Sequence, residues 1–394
     1  MPHPDADLDV VLLGATGFTG ALTADYLAAH GPADLRWALA GRSAAKLEAV
    51  RARLAADHPE RPGLADLELL TADVEDPSSL EVLAKRARVV ITTVGPYLKY
   101  GEHLVAACAG AGTDYVDLTG EAEFVDRMWT AHHATAVASG ARIVHACGFD
   151  SVPHDLGAYF TVQQLSDDEP IALRGVVRSN GQPSGGTFQT ALEGMARVRE
   201  AGAARAARRK VEPRPEGRRS RSVPAKPRRD PVLGYYLLPL PTIDPLIVAR
   251  SGAALATYGP DFRYSHYAGT KTLAYAVGGA ATIGALGLAA QVKPLRELLM
   301  RRLPAGTGPD EDRRERSWFK VDFVAEQGDT TLHTRVRGGD PGYGETAKML
   351  AESALCLAFD DNPPTAGQVT TAQAMGDKLL ARLQAAGITF EVVA

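Results

Sequence analysis

The sequence predicts an α/β protein whose first half forms a doubly wound parallel sheet, and three observations lead to this fold class. Short, apolar, strand-like runs alternate with helix-length segments from Leu8 to about Ala146, which is the pattern of successive βαβ units. A glycine-rich turn follows the first apolar run. The chain has 394 residues, and at about 100 to 200 residues per domain this length indicates a second domain. We therefore expect a Rossmann-type domain over residues 1–150.

Six strands and three of the intervening helices are assigned from this alternation. The strands are expected at Val10 to Leu13, Leu35 to Ala40, Leu67 to Thr71, Val89 to Val94, Tyr115 to Leu118 and Ile143 to Ala146. The helices, each with one apolar stripe between Gly, Pro, Asp or Ser residues, are expected at Ala44 to Ala56, Pro77 to Arg86 and Leu104 to Ala111. Such sheets bind ligands beyond the carboxyl ends of their strands, so function is expected in the loops that follow them.

The turn after the first strand predicts a dinucleotide site. Its residues are Gly14, Ala15, Thr16, Gly17, Phe18, Thr19 and Gly20. Glycines here let the backbone turn tightly and approach a pyrophosphate, and the N-terminus of the next helix offers unpaired N–H groups to the anion. A glycine-rich turn without a ligand is the alternative.

The end of the second strand indicates which dinucleotide binds. NAD-binding proteins place an acidic residue there for the ribose 2′-hydroxyl, whereas NADP-binding proteins place a cation for the 2′-phosphate. This chain has Arg42 and Ser43, with Lys46 one turn later and no competing carboxylate. Arg42 can bind a phosphate through two hydrogen bonds, so NADP(H) is the predicted cofactor; a solvated loop arginine is the alternative.

Two further loops complete the predicted cofactor site. Asp73 and Val74 follow the third strand, where the adenine edge would lie. Val94, Gly95 and Pro96 end the fourth strand in a loop of small residues that would run under the nicotinamide ring. Pro96 could instead serve only to end the strand.

Six motifs together resemble the saccharopine dehydrogenase-like oxidoreductases, and in particular their actinobacterial trans-acting enoyl reductase branch. They are GATGFTG at 14–20, AGRS at 40–43, TTVGPY at 92–97, YVDLTGE at 115–121, CGFDSVP at 147–153 and DPGYGET at 340–346. The resemblance implies NADPH-dependent reduction of a carbon–carbon double bond in a polyketide- or lipid-derived substrate. It also implies an α+β substrate domain at 151–345 and C-terminal helices at 346–394 that return to the first domain.

A reductase of this kind needs a proton donor close to the carbon that receives hydride. Candidates stand at strand ends and in a late glycine-rich turn: Tyr97, Asp150, Ser151, His154, Tyr343 and Glu345. We take Tyr97, Asp150, Ser151 and Tyr343 as the candidate catalytic residues. Asp150 or Ser151 could instead cap the next helix, and Tyr343 could anchor a turn.

Two segments have unusual composition. Residues 197–230 contain 13 Lys or Arg against 4 Asp or Glu, which predicts an exposed, mobile insertion. It is either a solvated loop or a docking site for an acidic carrier protein or an anionic membrane surface. Residues 273–290 carry no charge. For this segment we favour a buried core helix, or a hairpin that lines an apolar channel or rests on a membrane, over a transmembrane span.

Composition limits the function classes. A net charge of −4 gives no general affinity for nucleic acid, and three distant cysteines indicate a reducing compartment. The histidines have no spacing typical of zinc ligands. We expect a cytoplasmic protein, with peripheral association at the inner face of the plasma membrane as an alternative. A homodimer is a second open expectation.

Two other function classes are kept open. A saccharopine-type dehydrogenase of an amino-acid conjugate would need clustered arginines for several carboxylates, yet outside the basic segment only scattered ones occur, such as Arg174, Arg178 and Arg263. A non-catalytic Rossmann scaffold that associates with lipid or membrane is the other.

Overall fold

A seven-stranded, entirely parallel sheet forms the first half of the protein, as a computed structural model shows for residues 6–181, 185–302 and 311–393. The strand order is β14-β6-β5-β4-β1-β2-β3. Its strands are β1 (Leu8–Leu13), β2 (Trp37–Gly41), β3 (Glu68–Thr71), β4 (Ala87–Thr92), β5 (Asp114–Asp117), β6 (Arg142–Val144) and β14 (Gly367–Val369). This order confirms the predicted doubly wound Rossmann sheet.

Helices cover both faces of this sheet. Along β1, Val10 and Leu12 face one apolar core whereas Val11 and Leu13 face another, as expected for a strand buried on both sides. The helices on this sheet are α1 (Phe18–His30), α2 (Ala44–Asp57), α3 (Pro77–Arg86), α4 (Tyr97–Tyr100), α5 (Glu102–Ala111) and α6 (Ala122–Ser139), with a short 3₁₀ turn at Pro62–Asp66. The next helix, α7 (Val152–Val162), packs on the second sheet instead.

The second half is built on a mixed sheet of eight strands. Seven follow the order β15-β13-β12-β7-β11-β10-β9, and β8 pairs with β11. They are β7 (Ile171–Ser179), β8 (Arg219–Ser222), β9 (Arg228–Arg229), β10 (Tyr236–Pro239), β11 (Asp261–Thr270), β12 (Phe319–Gln327), β13 (Thr330–Gly338) and β15 (Thr389–Val392). Its helices are α8 (Gly185–Ala196), α9 (Val198–Val211), α10 (Asp244–Ala254), α11 (Leu273–Gln291), α12 (Lys293–Arg302) and α13 (Glu311–Glu315), with a 3₁₀ turn at Ala256–Tyr258.

The C-terminal segment joins the two halves. Its helices are α14 (Gly344–Phe359), α15 (Thr371–Ala374) and α16 (Gly376–Ala385). Helix α14 returns to the first sheet, where Tyr26 Oη donates a hydrogen bond of 2.8 Å to Glu352 Oε1. The segment also contributes β14 to the first sheet and β15 to the second, which an expectation of helices alone did not include.

Most of the basic segment 197–230 is exposed, as predicted, but it forms defined elements that pack on both domains; its mobility stays a prediction. Its first part forms α9, which packs on α6. The buried Arg208 pairs through Nε with Asp126 Oδ1 at 2.5 Å, and Arg197 forms two hydrogen bonds of 2.9 and 2.7 Å with Glu123. Acidic residues on α6 thus hold the basic segment against the first domain, while strands β8 and β9 add it to the second sheet.

The uncharged stretch near residue 280 forms one continuous helix, α11, and not a hairpin. By length and composition it could cross a bilayer, with a mean hydropathy of 1.6. Only 11% of its most apolar 18-residue window is buried. The expectation of a buried core helix is therefore wrong, and the surface that α11 forms needs another explanation.

Candidate functional site

The glycine turn joins β1 to α1 at the carboxyl edge of the first sheet. Gly14 has a φ of +93°, and a Cβ there would lie 2.7 Å from Thr93 Oγ1. A Cβ on Gly20 would lie 2.1 Å from the carbonyl oxygen of Gly14. Side chains at these two positions would separate the turn from α1, so the close turn depends on glycine.

The first turn of α1 leaves its N–H groups open to an anion. Gly17 is the N-cap residue and supplies no side-chain hydrogen bond. Thr16 and Gly17 are exposed, and Phe18 and Thr19 are half-buried, whereas Ala15 is buried. An uncapped helix start beside a tight glycine turn is suited to a pyrophosphate, so these residues fit a dinucleotide.

Arg42 follows β2 at the same edge of the sheet. Its side chain is exposed and has no hydrogen bond or ion pair with any residue that the structure describes. Ser43 instead caps α2, because its Oγ accepts a hydrogen bond from the backbone N–H of Lys46 at 3.4 Å. The unpaired guanidinium fits a 2′-phosphate, and the exposed Lys46 adds a second positive charge one turn away.

The loops after β3 and β4 flank the glycine turn in different ways. Asp73 is half-buried and its Oδ1 accepts a hydrogen bond from the N–H of Glu75 at 3.0 Å, while Val74 belongs to the core. Thr93 Oγ1 donates to the carbonyl of Gly14 at 3.2 Å. This bond ties the loop of Val94, Gly95 and Pro96 to the glycine turn, with Gly95 exposed.

Tyr97 is held inside the protein by two hydrogen bonds. Its hydroxyl donates to the carbonyl of Thr92 and accepts from the N–H of Leu118, both at 3.1 Å. Burial, followed by the negative charge of Asp117, raises the pKa of Tyr97 well above its ordinary value. These contacts give Tyr97 an anchoring role for the loop, and proton donation by it stays a prediction.

Glu121 holds the end of the loop after β4 through backbone hydrogen bonds. Its two carboxylate oxygens accept hydrogen bonds of 2.8 Å from the N–H groups of Tyr97 and Leu98, which caps the short helix α4. Burial raises the pKa of Glu121, although these two N–H groups act in the opposite direction.

Asp117 connects the ends of β5 and β6. Its Oδ1 accepts from the N–H groups of Thr119 and Ala146, and its Oδ2 lies 2.9 Å from the Tyr115 hydroxyl and 2.7 Å from His145 Nδ1. Ala146 has a φ of +61°, which is strained for a residue with a side chain. The hydrogen bond to Asp117 helps to hold that conformation, so the loop after β6 is firmly positioned.

Behind this loop lies a buried polar cluster of the second domain. His154 on α7, Asp244 on α10 and His266 on β11 place their ligand-type atoms within 4.8 Å of one another. His154 Nδ1 lies 3.0 Å from Asp244 Oδ1, and His266 Nε2 lies 3.4 Å from Asp244 Oδ2. Tyr264 Oη contacts the other ring nitrogen of His266 at 3.0 Å.

The charges in this cluster are unequal. Burial opposes the ionisation of Asp244, but His154 and His266 outweigh it and hold the pKa of that carboxyl well below its usual range. Burial likewise acts to lower the pKa of His154, but the Asp244 carboxylate raises it overall. Burial lowers the pKa of His266 to about 4. The cluster therefore holds an aspartate–histidinium pair beside a neutral histidine.

Asp150 and Ser151 stand between this cluster and the edge of the sheet. Asp150 is half-buried, and its carboxyl makes no hydrogen bond to any residue within the described ranges. Burial, and then the negative charge of Asp244, raise the pKa of Asp150 to about 7. The buried hydroxyl of Ser151 also has no hydrogen-bond partner among the described residues. Asp150 is thus a carboxyl group that can be protonated near neutral pH.

The glycine-rich turn at 340–346 packs against the glycine turn at 14–20. The ring of Tyr343 packs edge-on against Phe18 with their centroids 4.7 Å apart. Asp340 holds this turn by accepting hydrogen bonds of 3.1 Å from the N–H groups of Tyr343 and Gly344. Glu345 accepts from the N–H of Gly339 at 3.2 Å. Tyr343 therefore shapes the cofactor loop through Phe18, and a direct chemical role stays a prediction.

One edge of the first sheet thus collects most of the predicted site. The loops after β1, β2, β3, β4 and β6 all leave this edge, and the late turn packs on the first of them. Sequence reasoning missed Asp117, Glu121, Asp244 and His266. The acidic residues of the YVDLTGE motif could have indicated Asp117 and Glu121. Asp244 and His266 lie far from His154 in sequence, so no local pattern connects them.

Comparison with known proteins agrees with this geometry. Residues 10–144 match the saccharopine dehydrogenase NADP binding domain. A Mycobacterium tuberculosis protein that carries the provisional name of trans-acting enoyl reductase is 41% identical, with 98% of this chain and 97% of that protein covered. The trans-acting enoyl reductase of Mycobacterium bovis is 40% identical, with 98% of both chains covered.

A solved structure supports the fold across the whole chain. Saccharopine dehydrogenase (L-Glu forming) from Saccharomyces cerevisiae superposes with a TM-score of 0.57 at 14% identity, covering 98% of this chain and all of that one. The NADP-binding domain makes NADP(H) the cofactor and the protein an NADP-dependent oxidoreductase. With two fifths of its residues identical over nearly its full length, the chain belongs to the trans-acting enoyl reductase family.

Proposed function

We propose that this protein reduces the carbon–carbon double bond of a polyketide- or lipid-derived α,β-unsaturated acyl thioester that another polypeptide delivers to it. The observation that carries this proposal is the full-length similarity to trans-acting enoyl reductases. The cofactor loops and a protonatable carboxyl at one sheet edge supply the two chemical functions that such a reaction needs.

The cofactor side is assigned to residues of the first domain. NADPH, when bound, supplies the hydride. The turn from Gly14 to Gly20 and the open start of α1 would bind the pyrophosphate, and Arg42 would bind the 2′-phosphate. The exposed Gly95 leaves the loop after β4 accessible to a flat ring.

The proton side is assigned to Asp150. Hydride addition to the β-carbon leaves negative charge on the thioester oxygen and the α-carbon, which must then receive a proton. Burial and then the negative charge of Asp244 raise the pKa of Asp150 to about 7, which favours the protonated carboxyl below that pH. The carboxyl proton would pass to the α-carbon, and solvent would then reprotonate Asp150.

The arginines of the second domain disfavour a saccharopine-type substrate. Arg174 Nε is paired with Asp230 at 2.7 Å, and Arg263 Nε is hydrogen-bonded to Asp261 at 2.9 Å. The guanidinium of Arg178 lies over the ring of Tyr235 at 4.5 Å. These three cations are therefore engaged within the second domain, which leaves them poorly placed to bind substrate carboxylates.

An Asp150→Asn variant tests the proposal, with Asp167→Asn, an exposed aspartate elsewhere, as the matched control. The assay follows NADPH consumption with 2-enoyl thioesters and deuterium transfer from labelled NADPH to the β-carbon. We expect kcat to fall by about 10² to 10⁴ in Asp150→Asn while NADPH binding is unchanged. We expect the wild-type rate to decline above pH 7, where Asp150 loses its proton, and we expect no such decline in the variant.

Two results would contradict the proposal. Deuterium found in an imine- or carbonyl-derived product, but never at the β-carbon of an enoyl thioester, would refute the reaction. An unchanged kcat in Asp150→Asn would refute the proton donor alone. Delivery of the substrate by an acidic carrier, through the exposed cations of 197–230, stays a prediction.

A further inference from the structure

Helix α11 is apolar around its whole circumference, yet most of it faces solvent. Ala276 and Ala290 are its buried residues, and a Cβ on Gly279 would lie 3.2 Å from the Leu238 side chain. One narrow stripe of small residues therefore packs on the second domain. Helices of soluble proteins normally expose a polar face, so the outer face of α11 requires an apolar environment.

The exposed apolar surface continues from α11 into α12. Seven of the sixteen large apolar side chains that are exposed in the described residues lie in this short part of the chain: Leu273, Tyr275, Val277, Leu288, Val292, Leu295 and Leu298. Tyr275 and Leu288 are 74% and 75% exposed. Exposed apolar side chains concentrated in one part of a protein indicate an interaction surface. We define these seven side chains as the α11–α12 surface.

Contacts along its length hold α11 flat against the second domain. Near its N-terminal end, Gly279 lies against Leu238 of β10. At its C-terminal end, Gln291 Nε2 donates a hydrogen bond of 2.7 Å to the carbonyl oxygen of Met195 in α8. A helix fixed at both ends to a folded domain cannot cross a bilayer without leaving that domain, but it can lie in the plane of the interface.

Positive charge borders the α11–α12 surface. Residues 271–301 contain four basic residues and one acidic residue, although the whole chain has a net charge of −4. Lys271 and Lys293 flank α11 and are exposed. On the neighbouring strand β9, exposed Arg228 and Arg229 pair in register with Leu237 and Tyr236 of β10, the strand on which α11 packs. Apolar side chains with a cationic border match an anionic lipid bilayer.

We propose that the α11–α12 surface docks this protein on an anionic membrane, with α11 parallel to the bilayer and its outer face inserted among the acyl chains. Tyr275 would lie at the level of the headgroups, where aromatic rings with a polar end are favoured. The cationic border favours an anionic lipid surface over a second copy of this chain, because a second copy would bring the same positive border to the interface. This proposal does not depend on the reaction that the protein catalyses.

Vesicle flotation tests the proposal with the full-length protein. The vesicles are an equal mixture of phosphatidylglycerol and phosphatidylcholine, or phosphatidylcholine alone. We expect binding to the anionic vesicles, weaker binding at high salt and still weaker binding to phosphatidylcholine. The double variant Val277→Gln/Leu288→Gln should lower the partition coefficient by about a hundredfold. Lys271→Gln/Lys293→Gln should reduce binding mainly at low salt.

The matched control is Val82→Gln/Val137→Gln, which changes two exposed valines on α3 and α6 of the first domain. It should bind vesicles as the wild type does. NADPH binding and thermal unfolding of every variant show that each is folded. This readout is independent of enoyl reduction, so failure here is distinguishable from failure of the proposed function.

Three outcomes would overturn membrane docking. The first is absence of wild-type protein from the floated anionic vesicles. The second is equal loss of binding in the control and test double variants. The third is a wild-type dimer that does not float and becomes monomeric in Val277→Gln/Leu288→Gln, because this would show that a second copy covers the surface.

Discussion

Replacement of Arg42 by Ala should change cofactor selectivity without abolishing cofactor binding. The Arg42 guanidinium is exposed and has no partner among the described residues. Its removal therefore breaks no interaction in the free protein, and its effect on affinity reports the contact with the 2′-phosphate. NADH lacks that phosphate, so the variant should bind NADH as the wild type does.

The expected magnitude follows from the exposure of this site. Hydrogen bonds to charged groups contribute about 1.5 to 3 kcal/mol, and solvent reduces charge interactions at exposed positions. A loss of about 2 kcal/mol corresponds to roughly a thirtyfold increase in the Kd for NADPH. The ratio of the Kd values for NADH and NADPH should fall by the same factor.

Fluorescence titration with both nucleotides measures this change. Arg36→Ala is the control for net charge: Arg36 lies at the opposite end of the same strand and forms an ion pair of 2.8 Å with Asp9. That variant should keep the wild-type selectivity. Equal weakening of NADPH and NADH in Arg42→Ala, or no change in either, would refute the assignment of Arg42 to the 2′-phosphate.

Two further predictions concern the buried charges. The folded state holds the pKa of His266 at about 4, below the ordinary 6.5, so its contribution to stability is complete above pH 6.5 and is lost as the pH falls towards 4. The free energy of unfolding, measured with urea, should fall between pH 7 and pH 5 by about 2 kcal/mol less in His266→Asn than in the wild type. An identical fall in both proteins would show that His266 is not buried in its neutral form. Arg208→Leu leaves the buried Asp126 without its ion pair, which should lower the free energy of unfolding by about 3 to 5 kcal/mol. The double variant Arg208→Leu/Asp126→Leu should recover most of the lost free energy of unfolding. An unchanged free energy of unfolding in Arg208→Leu alone would mean that α9 is not docked on α6.

The cofactor half of the site could be predicted from sequence because its information is local. The turn from Gly14 to Gly20 needs only a strand before it and a helix after it, and both are visible as patterns. Arg42 is identified by its place at the end of the next strand. The structure refines this prediction, since Ser43 caps α2 and its side chain is already used.

The rest of the site depends on contacts between distant segments. Asp244 and His266 come close to His154 only because β7 pairs in parallel with β11 across about ninety intervening residues. No short motif contains that pairing. The packing of the basic segment could not be predicted for a related reason: its own composition shows thirteen cations, but not the acidic partners Glu123 and Asp126 on α6.

The raised pKa of Asp150 connects the proposed proton donor to the second domain. Asp150 belongs to the loop after β6 of the first sheet, yet after burial the charge that most raises its pKa is that of Asp244, on α10. Asp244 stays ionised because it is paired with the histidinium of His154. A change in the packing of α10 or β11 would therefore alter the pH range in which Asp150 carries a proton while the cofactor loops stayed intact. We therefore expect cofactor affinity and the pH dependence of the rate to be separable, because the first is assigned to local turns and the second to the charge of Asp244 in the second domain.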